Sequence, residues 1–321
     1  MLGYGAVQSY ERYAWVPSGI VFLIVIGFFS QTGTFDTLLP METGAGEASG
    51  VLTFGAAVLL YAAGWTLYAA DYNVYRPVDS SRPLIFVWTF IGLFAPLVFS
   101  QLLGAALMTA GVTNQDYIDA YAESGSGGLI AQTIVPHLGG FGKFCVAILA
   151  LAGTAQNCIN IYSVALSLQI LGRWTQTVPR FIWTFVATCA YVAISVPAYD
   201  RFASWLETML LMMGYWWAIY IGIGMTEHFV IRRGVDGYRP DDYDDPRWLP
   251  PGFAALGGGL AGVAGAVMGL SQTWWMGPVV VRLNEVTGGE FRGDLGVLFA
   301  FGFSALAYSV LRPVEKGLCM R

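Results

Sequence analysis

The sequence predicts an all-α polytopic membrane protein, and three observations carry that prediction. Of the 321 residues, 56% are hydrophobic and only 12% are charged, about half the charged share of a soluble domain. The mean hydropathy is +0.58. The apolar residues are gathered into runs of the length that crosses a bilayer, roughly 18 residues or more. Helices are the expected spanning element, because barrel strands are shorter and alternate strictly. One membrane domain over residues 1–321 is expected.

Eight apolar segments follow in order. The first, Pro17–Ser30, is short and needs Ala14, Trp15 and Val16 to reach across. The second, Val51–Ala70, contains Gly64 among small residues, which weakens a helix near mid-membrane. Leu84–Ala110 is apolar throughout. Phe144–Leu171 carries three carboxamides within five residues. Phe181–Val196, Phe202–Ile231, Phe253–Leu270 and Leu295–Leu311 complete the set. In the seventh, Gly257, Gly258, Gly259, Gly262 and Gly265 read as helix-packing positions. The stretches Gln31–Gly50 and Val112–Gly142 read as loops on one side of the membrane.

Lysine and arginine set the orientation. An even number of spans puts both ends on one side. Twelve of the 16 cations fall on that side: Arg12, Arg76, Arg82, Arg173, Arg180, Arg232, Arg233, Arg239, Arg247, Arg312, Lys316 and Arg321. The opposite side holds Lys143, Arg201, Arg282 and Arg292. Both termini are therefore expected in the cytoplasm. The longest link on that side, Arg232–Pro251, holds Asp241, Asp242, Asp244 and Asp245, without the glycine and distal glutamate of a calcium loop. It reads as a solvated linker.

Some reaction classes are excluded. Cys145, Cys158, Cys189 and Cys319 have no metal-ligand spacing. His137 and His228 make no histidine cluster, so no metal site is expected. Serine-hydrolase, zinc-protease and nucleotide-loop signatures are absent from the sequence, and no enzyme activity is expected. Nothing basic and aromatic suggests nucleic-acid binding.

Two spans carry the polar and aromatic residues of interest. Trp65 follows the interruption at Gly64, deep in a segment where tryptophan is uncommon. Broken helices build transporter sites at the membrane midplane, and an aromatic there stacks on a planar ligand. Close packing through small residues fits the same stretch. In the fourth segment, Gln156, Asn157 and Asn160 lie within five residues. Gly153, Asn157, Asn160 and Ser167 share a helix face. Carboxamides in hydrocarbon need partners, so these imply a polar cavity or hydrogen bonds to a neighbouring helix. An amide both donates and accepts, which suits the edge of a heterocyclic base. Among carboxylates, Asp71 and Glu227 fit interfacial salt bridges, and Glu207 fits a position facing outer water. Glu11 reads as lying in the tail of a preceding helix.

Five stretches resemble one family: Tyr10-Glu11-Arg12-Tyr13-Ala14-Trp15, Gly64-Trp65-Thr66-Leu67-Tyr68-Ala69-Ala70-Asp71-Tyr72, Asn157-Cys158-Ile159-Asn160-Ile161-Tyr162-Ser163, Thr226-Glu227-His228-Phe229 and Leu249-Pro250-Pro251-Gly252. They are similar, in the same order, to motifs of the fungal purine–cytosine permeases of the nucleobase–cation symporter-1 family. The resemblance implies a partial leucine-transporter-like fold, with these eight spans matching the family's fifth to twelfth and Gly3–Tyr13 the end of its fourth. Most of the first inverted repeat is then missing, and this chain alone is not expected to transport.

The resemblance also implies roles. Trp65 stacks on the base; Gln156, Asn157 and Asn160 hydrogen-bond it; Glu11 serves substrate recognition and proton coupling. This chain has Gln156 where the family has asparagine, and Ile159 where it has proline. The expected function is import of purine bases and cytosine by proton symport, with the proton as coupling ion and no other cofactor. Plasma membrane is the expected location. Transport of pyridoxine, a cargo within the same clade, is the alternative. A membrane receptor or sensor is the alternative of another class.

Overall fold

The computed structural model describes residues 3–36, 39–40, 42–66, 77, 79–170, 172–199, 202–238 and 251–319. Among them the order is α1 (Gly3–Thr32), α2 (Ala45–Ala63), α3 (Arg82–Thr113), α4 (Gln115–Ile170), α5 (Arg173–Thr177), α6 (Arg180–Ala198) and α7 (Phe202–Met225), which runs on as a π-helical turn over Thr226–Ile231. Then come α8 (Phe253–Gly269), a hairpin of β1 (Ser271–Gln272) and β2 (Trp275–Met276), α9 (Pro278–Val286) and α10 (Gly296–Cys319). The hairpin pairs Ser271 with Met276 and Gln272 with Trp275, antiparallel.

Seven of these helices are long and apolar enough to cross a membrane. The all-α polytopic class therefore stands, with one correction: of the eight expected spans seven reach full length, and the other is short, at the low end of the roughly 17–25 residues that cross. The seventh expected segment forms α8, of 17 residues. At 1.5 Å per residue it is about 25 Å long, short of the roughly 30 Å hydrocarbon core.

Two further expectations are corrected. Gly3–Tyr13 is not a separate helix tail, because α1 runs unbroken from Gly3 to Thr32 with Pro17 inside it. Proline inside a spanning helix is tolerated where other groups satisfy the freed carbonyls. Val112–Gly142 is helical over most of its length rather than a loop. Its helices turn corners at Gly125 (φ 59°) and Gly139 (φ 53°), a left-handed conformation that glycine adopts without steric cost. Tyr117, Leu129 and Ile134 are buried along this stretch, while Asp116, Asp119 and Glu123 stay exposed.

The chain forms two compact units. The first comprises Met1–Pro40 and Ala70–Ala203. Its core joins Val21, Val25 and Phe29 of α1, Leu103, Leu107 and Ala110 of α3, and Tyr117, Leu129, Ile134 and Cys145 of α4. The α1 and α3 sets recur every three or four residues, so one stripe of each helix faces inward. The outer face of α3 stays apolar: Phe86, Phe90 and Phe94 are exposed and stacked in sequence, with centroids 6.1 and 5.1 Å apart. Such a ladder suits lipid.

The second unit comprises Met41–Ala69 and Ser204–Arg321. Leu211, Tyr215, Ala218 and Ile219 of α7 meet Ala266 and Leu270 at the end of α8, and Val297 and Ala300 of α10. Glycine sets the closeness of this packing. A Cβ added to Gly262 would lie 2.6 Å from Ile219 Cγ1 and 3.1 Å from the Ala300 carbonyl oxygen, and one on Gly265 would lie 2.6 Å from the Phe299 carbonyl oxygen. Lipid offers no hydrophobic drive between helices, so such backbone approach supplies the packing. Gly265→Ala should therefore force α8 from α10 and lower stability by about 1–3 kcal/mol. Gly259→Ala, which meets nothing within 4 Å, should not. Melting temperatures of the two variants in detergent check this.

Candidate functional site

The sequence-derived site residues fall into both units. Trp65 belongs to the second. There α2 stops at Ala63, Gly64 stands in a turn, and Trp65 is half-buried just beyond it. The interruption expected at Gly64 is thus present. Residues 67–76, including Asp71, lie outside the described residues. So do Asp241, Asp242, Asp244 and Asp245.

The amides belong to the first unit, on the last stretch of α4. The backbone at Gln156 is helical, but its side chain lies outside the described residues, as do those of Glu11 on α1 and Glu207 on α7. Asn157 and Asn160 are both half-buried, one helical turn apart. Asn157 Nδ2 donates to Tyr191 Oη on α6 at 3.3 Å. Asn160 makes no hydrogen bond or ring contact with a described residue. Ser163, one turn further on, is 3% exposed.

The position of α6 against α4 is fixed by the turn between them. Thr175 is buried there, and its hydroxyl donates to the Gly172 carbonyl at 2.7 Å while accepting the Gly172 N–H at 3.0 Å. Trp183 Nε1 of α6 donates to the Thr175 carbonyl at 3.2 Å, and Arg180 Nε to Gln169 Oε1 of α4 at 3.0 Å. These contacts clamp the base of α6, from which Tyr191 projects toward Asn157.

Two polar clusters sit in the second unit. Glu227 forms the salt bridges expected of it: Arg232 Nε lies 2.7 Å from its Oε1, and Arg312 Nε of α10 lies 3.3 Å from its Oε2. Tyr308 Oη donates to Glu227 Oε2 at 3.0 Å. Arg312 Nη1 also holds Glu315 Oε2 at 2.8 Å. Glu315 Oε1 has no hydrogen bond of full geometry, yet its carboxylate faces the first amides of α8, at Phe253 and Ala254. The cap position Gly252 has no side chain to offer, so a carboxylate from α10 supplies the negative charge that a helix N-terminus favours.

The second cluster escaped the sequence reading. Asp294 is 1% exposed, and no cation is among its hydrogen-bond partners. Its Oδ2 accepts from Tyr215 Oη at 2.5 Å, the Ser271 N–H at 3.1 Å and Gln272 Nε2 at 3.3 Å, and its Oδ1 accepts from the Gly296 N–H at 2.8 Å. The same segment grips α2. The Arg292 N–H donates to Ser49 Oγ and the Asp294 N–H to Thr53 Oγ1, each at 3.1 Å. An aspartate two residues before an apolar helical run is a capping signal, and that signal was available in Gly293-Asp294-Leu295-Gly296.

Among the described residues no group of three His, Cys, Asp or Glu side chains is placed to hold a metal ion. Asp294→Ala would leave Tyr215 Oη and the N–H groups of Ser271 and Gly296 without this acceptor, and Gln272 Nε2 with Tyr215 Oη alone. It should cost about 2–4 kcal/mol, and Asp294→Asn, which keeps one carbonyl oxygen, should cost less. Thermal unfolding of both variants in detergent measures the difference.

A family model described as a permease for cytosine/purines, uracil, thiamine and allantoin matches residues 1–288. The purine-cytosine permease fcyB of Emericella nidulans is 46% identical over 314 residues, covering 98% of this chain and 60% of its own. The purine-cytosine permease FCY2 of Saccharomyces cerevisiae is 39% identical over 314 residues, covering 98% and 58%. The vitamin B6 transporter TPN1 of Saccharomyces cerevisiae is 27% identical over 285 residues, covering 74% and 48%. The chain thus spans 58–60% of the length of the two purine-cytosine relatives. No solved structure matches it.

Proposed function

This chain belongs to the family of permeases for cytosine/purines, uracil, thiamine and allantoin, and we propose that it serves the import of purine bases and cytosine coupled to protons. The observation that carries this reading is the likeness, over 98% of the chain, to two proteins named purine-cytosine permeases. The site chemistry agrees with it. Asn160 on α4 is a half-buried amide with no partner among the described residues. An unpaired amide in hydrocarbon is unfavourable, and a base edge offers it both a donor and an acceptor.

In this reading Trp65 stacks on the base, and the amide stretch of Gln156, Asn157 and Asn160 forms the part of the site that meets its edge. Glu11 exchanges the coupled proton, and no other cofactor takes part. The protein is integral to the membrane. We place it in the plasma membrane with both termini in the cytoplasm, the side that receives twelve of the 16 cations. Membership of a permease family favours transport over the receptor or sensor reading. A second cargo, vitamin B6, is favoured by the more distant likeness to a vitamin B6 transporter, 27% identical. The glutamine at Gln156 also differs from the asparagine of the resembling motif.

The test is uptake of radiolabelled adenine and cytosine in yeast lacking its own base permeases. The chain is expressed alone and joined to the upstream segment of the Emericella nidulans relative. The joined form is expected to take up both bases, and Asn160→Ala in it should lower uptake more than about tenfold at equal surface amount, as expected for a site left with an unpaired ligand group. A joined form that reaches the surface and carries neither base, but carries pyridoxine, would overturn the nucleobase assignment.

A further inference from the structure

We infer that Asn157 does not read the base but works through Tyr191, as a pair that fixes the rotation of α4 and leaves Asn160 to meet the substrate. This rests on the nucleobase-permease reading above and divides the amide stretch into two jobs. A helix turns about 100° per residue. Gln156 and Asn160 therefore project about 40° apart, and Asn157 projects about 60° beyond Asn160, on the far side from Gln156. Of the two amides whose side chains are described, Asn157 is the one with a protein partner. Asn157 Nδ2 donates to Tyr191 Oη at 3.3 Å, whereas Asn160 has none among the described residues.

The chemistry of the contact fixes more than distance. Toward an amide N–H the phenol oxygen can only accept. Tyr191 therefore holds the nitrogen end of Asn157 toward α6. The amide is committed to a neighbouring helix, and its rotation about the α4 axis is committed with it. The clamp at Thr175, Arg180 and Trp183 keeps α6 in place at its other end. Two fixed points along α6 then define the face that α4 turns toward it. Asn160, one turn on, is aimed aside from α6 by that choice. Tyr191 is accordingly a positioning residue, and so is Asn157.

A double-substitution cycle decides it, run on the joined form used for uptake. Asn157→Ala and Tyr191→Phe should each raise KM for cytosine and for adenine by the same factor, roughly three- to tenfold, the range of one neutral hydrogen bond. The ratio of the two KM values should stay constant, and kcat per surface molecule should hold. The double variant should be no worse than either single one. Additive losses, an unchanged KM in Tyr191→Phe, or a cytosine-to-adenine ratio moved by Asn157→Ala alone would overturn the pair and return Asn157 to the base. The same cycle on the melting temperature of the purified chain reads the pair without transport: coupled losses are expected, and additive ones refute the hydrogen bond. If the unsubstituted joined form carries no base, the functional reading fails while that melting cycle still judges the pair.

Discussion

The structure depends on one constraint: a backbone that crosses hydrocarbon must satisfy its own N–H and C=O groups. Long helices follow from it, and so does the placing of every interruption. The chain breaks its helices at Gly64, Gly125 and Gly139. At Gly125 and Gly139 the backbone is left-handed, where a side chain would strain it. Prolines Pro17, Pro96, Pro136, Pro197 and Pro313 stay inside helices instead of ending them. The helices of the second unit come together through glycines, because side-chain burial drives nothing when the solvent is itself apolar.

Charge is handled differently at the two polar clusters of the second unit. At one, Glu227 and Glu315 face Arg232 and Arg312, so two carboxylates meet two guanidinium groups. At the other, Asp294 is surrounded by neutral donors: a phenol, an amide and two backbone N–H groups. The first arrangement joins α7 to α10 and, through Glu315, to the start of α8. The second joins α7, the hairpin and the start of α10, and through Ser49 and Thr53 it also holds α2, the helix whose continuation carries Trp65.

The spanning helices were legible because their apolar runs are long and their glycines and prolines few in kind. Val112–Gly142 was not, because acidic residues and glycines there imitate a loop. Its inward residues, the half-buried Ile130 and Leu138 and the buried Thr133 and Ile134, do follow helical spacing, but the run between Gly125 and Gly139 is too short to stand out. Of the site, the sequence picked out the interruption before Trp65 and the amides of α4. It could not show that Asn157 and Asn160 differ, since that depends on Tyr191, 34 residues away. Glu227 was legible as a salt-bridging residue because arginines follow it closely. Asp294 was missed because its donors come from Tyr215, Ser271 and Gln272, on other elements.

The shortness of α8 bears on the lipid around it. Phe253, Leu256, Leu260, Val263 and Val267 form an exposed stripe on this helix, so acyl chains rest directly against a span of about 25 Å. That is some 5 Å less than the usual core. Its packing against α7 and α10 is too close for it to slide and share the deficit. The hydrophobic mismatch then falls on the bilayer, which thins locally at a modest cost per ångström. Cost of that kind ties the packing of this unit to the thickness of the bilayer beside α8.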